Sequence, residues 1–479
     1  MKGLHPMSTR LSRRALLRFA TATALGAASA SLLAACQGGP SPSGAAPTSA
    51  SAPAPTVASK PAPTSASAPA PTVAPAAAGA GNSQAATITW SFWGDPNELP
   101  PNDEVIQAFN AKYPNIQVKT FHEPWASYFD KIQTMFAGDA APDVLFLTNI
   151  ASYASKGVLA PVNDLAKQSG YDITDFPDAE LKLFQNQDKL YGFPRDNDTK
   201  VLYYNKDAFD QAKIAYPDDK WDWNALRDAA NKLTNRQGDR VLRYGGAIES
   251  GEWPSFVWQN GAEVYDDVFK PTKSLLDQPD QIAAITFLAD LMNTDKVIPS
   301  AAALTQAGGV TNLFTSGLAA MVISNAPRLL TFAKAPFKWD IAVLPKQKRA
   351  ANYVGGAGYV MSAQSKVKEA AWTFMQFVNG PEAQKIFSKG GGVVPARVSV
   401  QKSDTFLKSG PPGVNMDVFV TATGQGHLNG AATIGPWQQE LSTGVNKDLD
   451  VIWAGEAKPA DQLKVVAANA TAKLKQLVT

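Results

Sequence analysis

Three short stretches decide the fold: residues 87–93 (TITWSFW), 116–121 (IQVKTF) and 143–147 (DVLFL). The first alternates apolar and polar residues as a strand does, and the third is apolar enough for a strand buried on both faces. Between the three stretches, apolar residues recur at helical spacing; they are Val105, Phe109 and Tyr113, then Tyr128, Ile132 and Met135. This β-α-β-α-β order predicts a parallel, doubly wound sheet.

In such sheets, ligands bind beyond the carboxyl ends of the strands. Those ends lie at residues 93–95, 122–125 and 147–149. The sequence therefore predicts a binding site near these three segments.

The second half of the chain predicts strands at residues 200–204, 319–324 and 339–344 and a helix at 223–234. Helices then dominate, and their apolar stripes favour packing in a core over a binding role. The stripes lie at residues 367–378, 437–449 and 463–477.

Composition excludes several classes of function. The 479 residues are enough for two or three domains. The net charge of the whole chain is +2, but segment 1–35 contains five basic residues and no acidic ones. The rest of the chain therefore has a net charge of −3. A mildly acidic body argues against nucleic acid as a partner. A single cysteine cannot form a disulfide framework within the chain, and with only three histidines a zinc site is not favoured, so neither metal nor cofactor is predicted.

The chain has no nucleophile elbow, H-E-x-x-H helix or phosphate loop, which argues against an enzyme.

The first 35 residues are typical of a signal peptide, with basic residues before a weakly apolar stretch. The pair Arg13-Arg14 is similar to a twin-arginine export signal, and the general secretory route stays open. Residues 33–36 (LAAC) resemble a bacterial lipobox, which predicts that Cys36 is lipidated. We therefore expect an exported protein anchored at the outer face of the bacterial cytoplasmic membrane.

Residues 36–86 predict a disordered tether between this anchor and the folded body. They are almost entirely Ala, Pro, Ser, Thr, Gly and Val, and segment 46–58 (APTSASAPAPTVA) recurs at 62–74. Such a composition has too little apolar surface to build a core.

Several further segments are similar to one known family when taken in order. They are residues 109–118 (FNAKYPNIQV), 136–147 (FAGDAAPDVLFL), 157–162 (GVLAPV), 190–209 (LYGFPRDNDTKVLYYNKDAF), 314–324 (FTSGLAAMVIS), 344–345 (LP), 355–361 (GGAGYVM) and 366–378 (KVKEAAWTFMQFV). In order and spacing they resemble the bacterial extracellular solute-binding proteins of ABC importers, the family that includes maltose- and glycerol-phosphate-binding proteins. The resemblance covers nearly all of residues 87–479.

The resemblance implies an α/β fold of the periplasmic-binding-protein type, with two lobes joined by a hinge around a ligand cleft. Carried onto this chain, lobe one comprises residues 87–195 plus 355–395, and lobe two comprises 200–345 plus 400–479. The chain would cross between the lobes near residues 195–200, 346–354 and 396–402. The implied protein is a monomer that serves the transmembrane subunits of an ABC permease.

A carbohydrate site needs aromatic platforms for the C–H faces of the sugar and polar side chains for its hydroxyl groups. The strand ends and the resemblance together imply these ligand-binding residues: Trp93, Asp95, Trp125, Tyr128, Thr148, Asn149, Asp198, Glu249, Trp253, Asn325, Arg328, Gly356, Arg397 and Trp437. The maltose-binding relatives have an acid and an arginine at the positions of Thr148 and Asn149, which puts maltose itself in doubt.

The leading hypothesis is a lipid-anchored binding protein that captures a mono- or oligosaccharide and delivers it to a permease. Arg328 and Arg397 keep a second hypothesis open, a binding protein for an anionic or phosphorylated solute. A secreted glycoside hydrolase is less favoured, because it requires a pair of catalytic carboxylates that the sequence does not identify.

Overall fold

The computed structural model describes residues 85–94, 99–353, 355–427 and 434–477. The signal peptide, Cys36, the tether up to residue 84 and Asp95 lie outside the described residues, so what the sequence implies about them stays a prediction.

Strands and helices alternate up to residue 147 and are grouped in short runs through the rest of the first half of the described chain. In order they are β1 (Ala86–Trp93), α1 (Pro100–Lys112), β2 (Ile116–Glu123), α2 (Trp125–Ala137), β3 (Val144–Leu147), α3 (Ile150–Ala154), α4 (Asn163–Ser169), α5 (Asp178–Lys182), β4 (Gln185–Asn186), β5 (Lys189–Leu190), β6 (Gly192–Pro194), β7 (Asp196–Asn197), β8 (Lys200–Asn205), α6 (Lys206–Ala212), α7 (Trp223–Leu233), β9 (Asn235–Gln237), β10 (Arg240–Arg243) and α8 (Trp253–Gln259). A short 3₁₀ turn, Ser250–Glu252, precedes α8.

Helices are more frequent in the second half. The elements are α9 (Pro279–Asn293), α10 (Ala301–Gln306), α11 (Gly309–Thr315), β11 (Met321–Asn325), α12 (Arg328–Phe332), β12 (Trp339–Ala342), β13 (Asn352–Tyr353), β14 (Gly358–Met361), α13 (Lys368–Val378), α14 (Pro381–Ser388), β15 (Val394–Pro395), α15 (Val398–Gln401), α16 (Asp404–Leu407), α17 (Asp417–Gly424), β16 (Gly426–His427), α18 (Gln438–Trp453) and α19 (Pro459–Leu477). No helix in the described ranges is both long enough and apolar enough to span a membrane.

The first sheet has the strand order β2-β1-β3-β14-β6. β1 pairs in parallel with both β2 and β3, which confirms the predicted β-α-β-α-β unit. The expectation of a wholly parallel sheet is wrong for its other half, because β14 runs antiparallel to β3 and β6. β14 reaches this sheet from a distant part of the chain, so no βαβ crossover fixes its direction.

The second sheet, β11-β8-β12, is antiparallel throughout. Helices cover both of its faces and bury two separate apolar cores. The helices α18 and α19, which the apolar stripes predicted, bury Leu441, Val445, Leu463 and Val466 in one of these cores. The fold is thus two α/β lobes, each built on its own sheet.

Two segments connect the two sheets. Residues 195–199 lead from β6 to β8, and their short strand β7 pairs with β15 of a third segment, which leads from α14 to α15. The other connection leads from β12 back to β14. Its Asn352 side chain accepts a hydrogen bond from Lys200 N at 3.1 Å and donates one to Lys200 O at 2.8 Å. Bending at such a bundle of connections opens and closes a cleft.

Candidate functional site

A cleft of about 740 Å³ lies against these connecting segments. Its walls include residues at the carboxyl ends of β1 and β3, where the strand ends predicted a site, and at the end of β11, where the resemblance implied ligand-binding residues. Its floor includes residues 195–198 and 355–357 of the connections.

One wall of the cleft is aromatic. The Trp93 ring stacks on Phe146 with centroids 4.1 Å apart, and Trp125 meets Trp93 edge-on at 4.9 Å. Trp125 is 55% exposed although it is a large apolar side chain. Because its neighbours fix the ring while much of it stays open, Trp125 forms a rigid platform for an apolar ligand face.

The floor carries a paired arginine and aspartate. The Arg195 guanidinium lies 4.1 Å from the centre of the Phe146 ring and donates from Nε to Asp196 Oδ2 at 2.8 Å. Asp196 Oδ1 also accepts from Ala357 N at 2.9 Å, which ties two connecting segments together. The charges of this pair therefore compensate each other at the cleft surface.

Asp198 is the second carboxylate of the floor. It accepts hydrogen bonds from Asn325 Nδ2 at 2.5 Å and from Lys200 Nζ at 3.2 Å. Burial acts to lower the pKa of Lys200, but Asp198 and Glu252 outweigh it and raise that pKa, so Lys200 stays charged. Burial, aided by Asp198, raises the pKa of Tyr353 to about 12, so its phenol is a neutral hydrogen-bonding group.

Two backbone positions on the cleft have unusual conformations. Asn149, just before α3, has φ 49° and ψ 53°, a left-handed conformation that asparagine tolerates better than most residues. Gly356 has φ 149°, and a Cβ there would lie 2.2 Å from Asp196 O. Only glycine allows this close approach between two connecting segments.

Arg328 stands at the start of α12, which packs on the second sheet, and it lines the cleft. It is exposed, and within the described ranges it has neither a hydrogen bond nor an ion pair.

The model of one protein family, the bacterial extracellular solute-binding proteins, matches residues 95–385 of the chain. The chain belongs to this family.

Solved and curated relatives agree with the match. An ABC substrate-binding protein from Listeria monocytogenes, in complex with cycloalternan, is similar to this chain with a TM-score of 0.72 and 27% identity, over 81% of this chain and 99% of that one. The arabinooligosaccharide-binding protein of Bacillus subtilis is 26% identical over 64% of this chain and 72% of its own length. The sn-glycerol-3-phosphate-binding periplasmic protein UgpB of Escherichia coli is 25% identical over 80% of this chain and 91% of its own length.

The structure brings eight of the fourteen ligand-binding residues inferred from the sequence together in the cleft of this solute-binding protein. They are Trp93, Trp125, Thr148, Asn149, Asp198, Asn325, Arg328 and Gly356. Asp95 lies outside the described residues.

The other five do not line the cleft. Tyr128 is buried behind Trp93, where its hydroxyl is 2.8 Å from Ser91 Oγ. Trp253 is buried in the second lobe and donates to Asn446 Oδ1 at 2.9 Å. Glu249 is exposed outside the lining, and Trp437 packs half-buried against the core beside the lining residues Gln438 and Gln439.

Arg397 departs furthest from its predicted role. It is 3% exposed and lies over the ring of Phe176. Its guanidinium donates to Asn379 O at 2.7 Å, Tyr171 Oη at 2.8 Å and Asp175 Oδ2 at 3.3 Å. With its donors used inside the first lobe, Arg397 acts in this structure as a packing and ion-pairing residue.

The sequence analysis missed other lining residues, above all Arg195, Asp196, Asn197 and Tyr353. A signal was present, because the run Arg195-Asp196-Asn197-Asp198 is strongly polar and lies within a segment that resembles the family. The resemblance implied a connection between lobes at the first three residues, and the structure makes that connection the floor of the cleft.

Proposed function

We propose that this protein is the substrate-binding component of an ABC importer, which captures a carbohydrate between its two lobes and delivers it to a membrane permease. The observation that carries the proposal is the half-exposed Trp125 platform facing a floor of carboxylates and amides. Stacking on an indole suits the C–H face of a sugar, and carboxylate and amide groups suit its hydroxyls. The relatives that bind oligosaccharides support this class of ligand.

The proposed ligand contacts are the cleft-lining residues. Trp125 and Trp93 would supply the platform, while Asp198, Asn325 and Asn149 would bind hydroxyl groups. Gly356 keeps the two connections close, so closure depends on its lack of a side chain.

The sequence adds finer parts to the proposal. The protein is anchored through lipidated Cys36, acts as a monomer and performs no reaction on its ligand. The lobe boundaries are those inferred from the sequence, residues 87–195 with 355–395 and 200–345 with 400–479. A phosphorylated or otherwise anionic solute is the second candidate, favoured by the unpaired Arg328 and by the likeness to UgpB.

A ligand screen on the purified full-length chain tests the proposal. The panel contains arabinotriose, galactobiose, maltotriose, glycerol 3-phosphate and free amino acids, and the readouts are tryptophan fluorescence and melting temperature. A ligand at 100 times its Kd should stabilise the fold by about 2.7 kcal/mol. Binding confined to amino acids, or release of nitrophenol from a nitrophenyl glycoside, would contradict the proposal.

A further inference from the structure

Two arginines, Arg195 and Arg328, line the cleft, and Arg328 has no counter-ion in the described part of the chain. It lines the cleft and is exposed to it, and no carboxylate of the described ranges forms an ion pair with it. The buried phenol of Tyr203 lies within electrostatic range of Arg328, and its hydroxyl already donates to Asn325 O at 2.8 Å.

The other charged residues of the lining are already compensated. Arg195 pairs with Asp196, and Asp198 pairs with Lys200. Glu252 lies close enough to Lys200, Asp198 and Glu249 to interact with them electrostatically, but neither glutamate lines the cleft. Among the described residues, Arg195, Asp196 and Asp198 of the lining therefore each have a partner of opposite charge.

The rim beside Arg328 offers hydrogen-bond donors. Gly392 packs there, since a Cβ on it would lie 3.0 Å from Leu330 Cδ1 and 4.0 Å from Pro327 Cα. Gly392 and Val393 line the same cleft, and neither amide nitrogen donates to a protein acceptor within the described residues. One guanidinium and two unused amides form a neighbourhood suited to an anion.

We propose that Arg328 binds an acidic group, a carboxylate or a phosphate, on the captured saccharide. The proposal rests on the proposed function and narrows it from saccharides in general to those that carry a negative charge. A guanidinium presents a planar fork of donors that matches either group, and closure of the lobes would leave an unpaired Arg328 without its water. A ligand acid supplies the missing partner.

The test compares matched ligands on the full-length chain at constant ionic strength. The pairs are digalacturonate with galactobiose and glucose 6-phosphate with glucose, titrated by tryptophan fluorescence. Three variants accompany the native protein: Arg328→Met, Arg328→Lys and Lys334→Met. Lys334 is an exposed cation in the same region outside the cleft lining, so its loss controls for net charge.

We expect an acidic ligand to bind about 10- to 100-fold more tightly than its neutral partner, the range of a charge-assisted hydrogen bond. Arg328→Met should abolish that preference, Arg328→Lys should keep part of it, and Lys334→Met should leave it intact. The pair that responds identifies the acid as carboxylate or phosphate.

Neutral saccharides that bind as tightly as acidic ones, with Arg328→Met unchanged, would overturn this inference and leave the proposed function standing. A failure of every saccharide to bind would overturn both.

Discussion

Replacing Trp125 with alanine should weaken saccharide binding without unfolding the protein. A fully enclosed aromatic side chain buries up to about 250 Å². With 55% of its surface exposed, Trp125 presents about 140 Å² to the cleft and solvent. A sugar stacked on one face covers roughly half of that area, about 70 Å², and at about 25 cal/mol per Å² this contributes about 1.7 kcal/mol.

The expected result is a Kd raised about 20-fold for the saccharide that responds best in the screen. Isothermal titration calorimetry measures the affinity, and urea unfolding without ligand measures stability. Leu318→Ala is the matched control, because Leu318 is an apolar side chain 46% exposed outside the cleft lining. A Kd changed by less than about threefold in Trp125→Ala would refute the platform argument.

Two further predictions concern groups that the cleft does not use directly. Arg397→Met should lower the free energy of unfolding by about 3–5 kcal/mol, because it leaves the Asp175 carboxylate without its buried partner, and should leave the saccharide Kd unchanged. As a control, Lys408→Met breaks an exposed ion pair with Asp404 and should lower the free energy of unfolding by no more than about 0.5 kcal/mol in urea. If Arg397→Met instead keeps native stability but binds the saccharide more weakly, Arg397 has the ligand role that the sequence implied. Burial raises the pKa of Glu180 well above its ordinary value of 4.5, against a hydrogen bond donated by Asn197 that lowers it. The stability that this carboxyl contributes is complete below pH 4.5 and is lost as pH rises toward its folded pKa, by up to about 1.4 kcal/mol per pH unit. Glu180→Gln should therefore match the native protein near pH 4 and exceed its stability near pH 8, and an unchanged difference across that range would contradict the buried, protonated state.

The sequence by itself determined the first α/β unit and the class of protein. The apolar patterns of residues 87–147 place strands and helices within a few residues of β1, α1, β2, α2 and β3, because local periodicity follows directly from which faces must be buried. The same patterns put Trp93, Thr148 and Asn149 at strand ends, and parallel strands bring such ends to one edge of a sheet.

Only the tertiary structure decided how distant segments meet. Antiparallel β14 joins the first sheet from more than 200 residues beyond β3, and no local pattern encodes that pairing. Arg397 and Arg328 both follow a proline within two residues and have mostly apolar sequence neighbours, yet the fold buries one among acceptors and leaves the other open in the cleft. Which side chain reaches a ligand depends on the partners that the fold supplies, and those partners come from elsewhere in the chain.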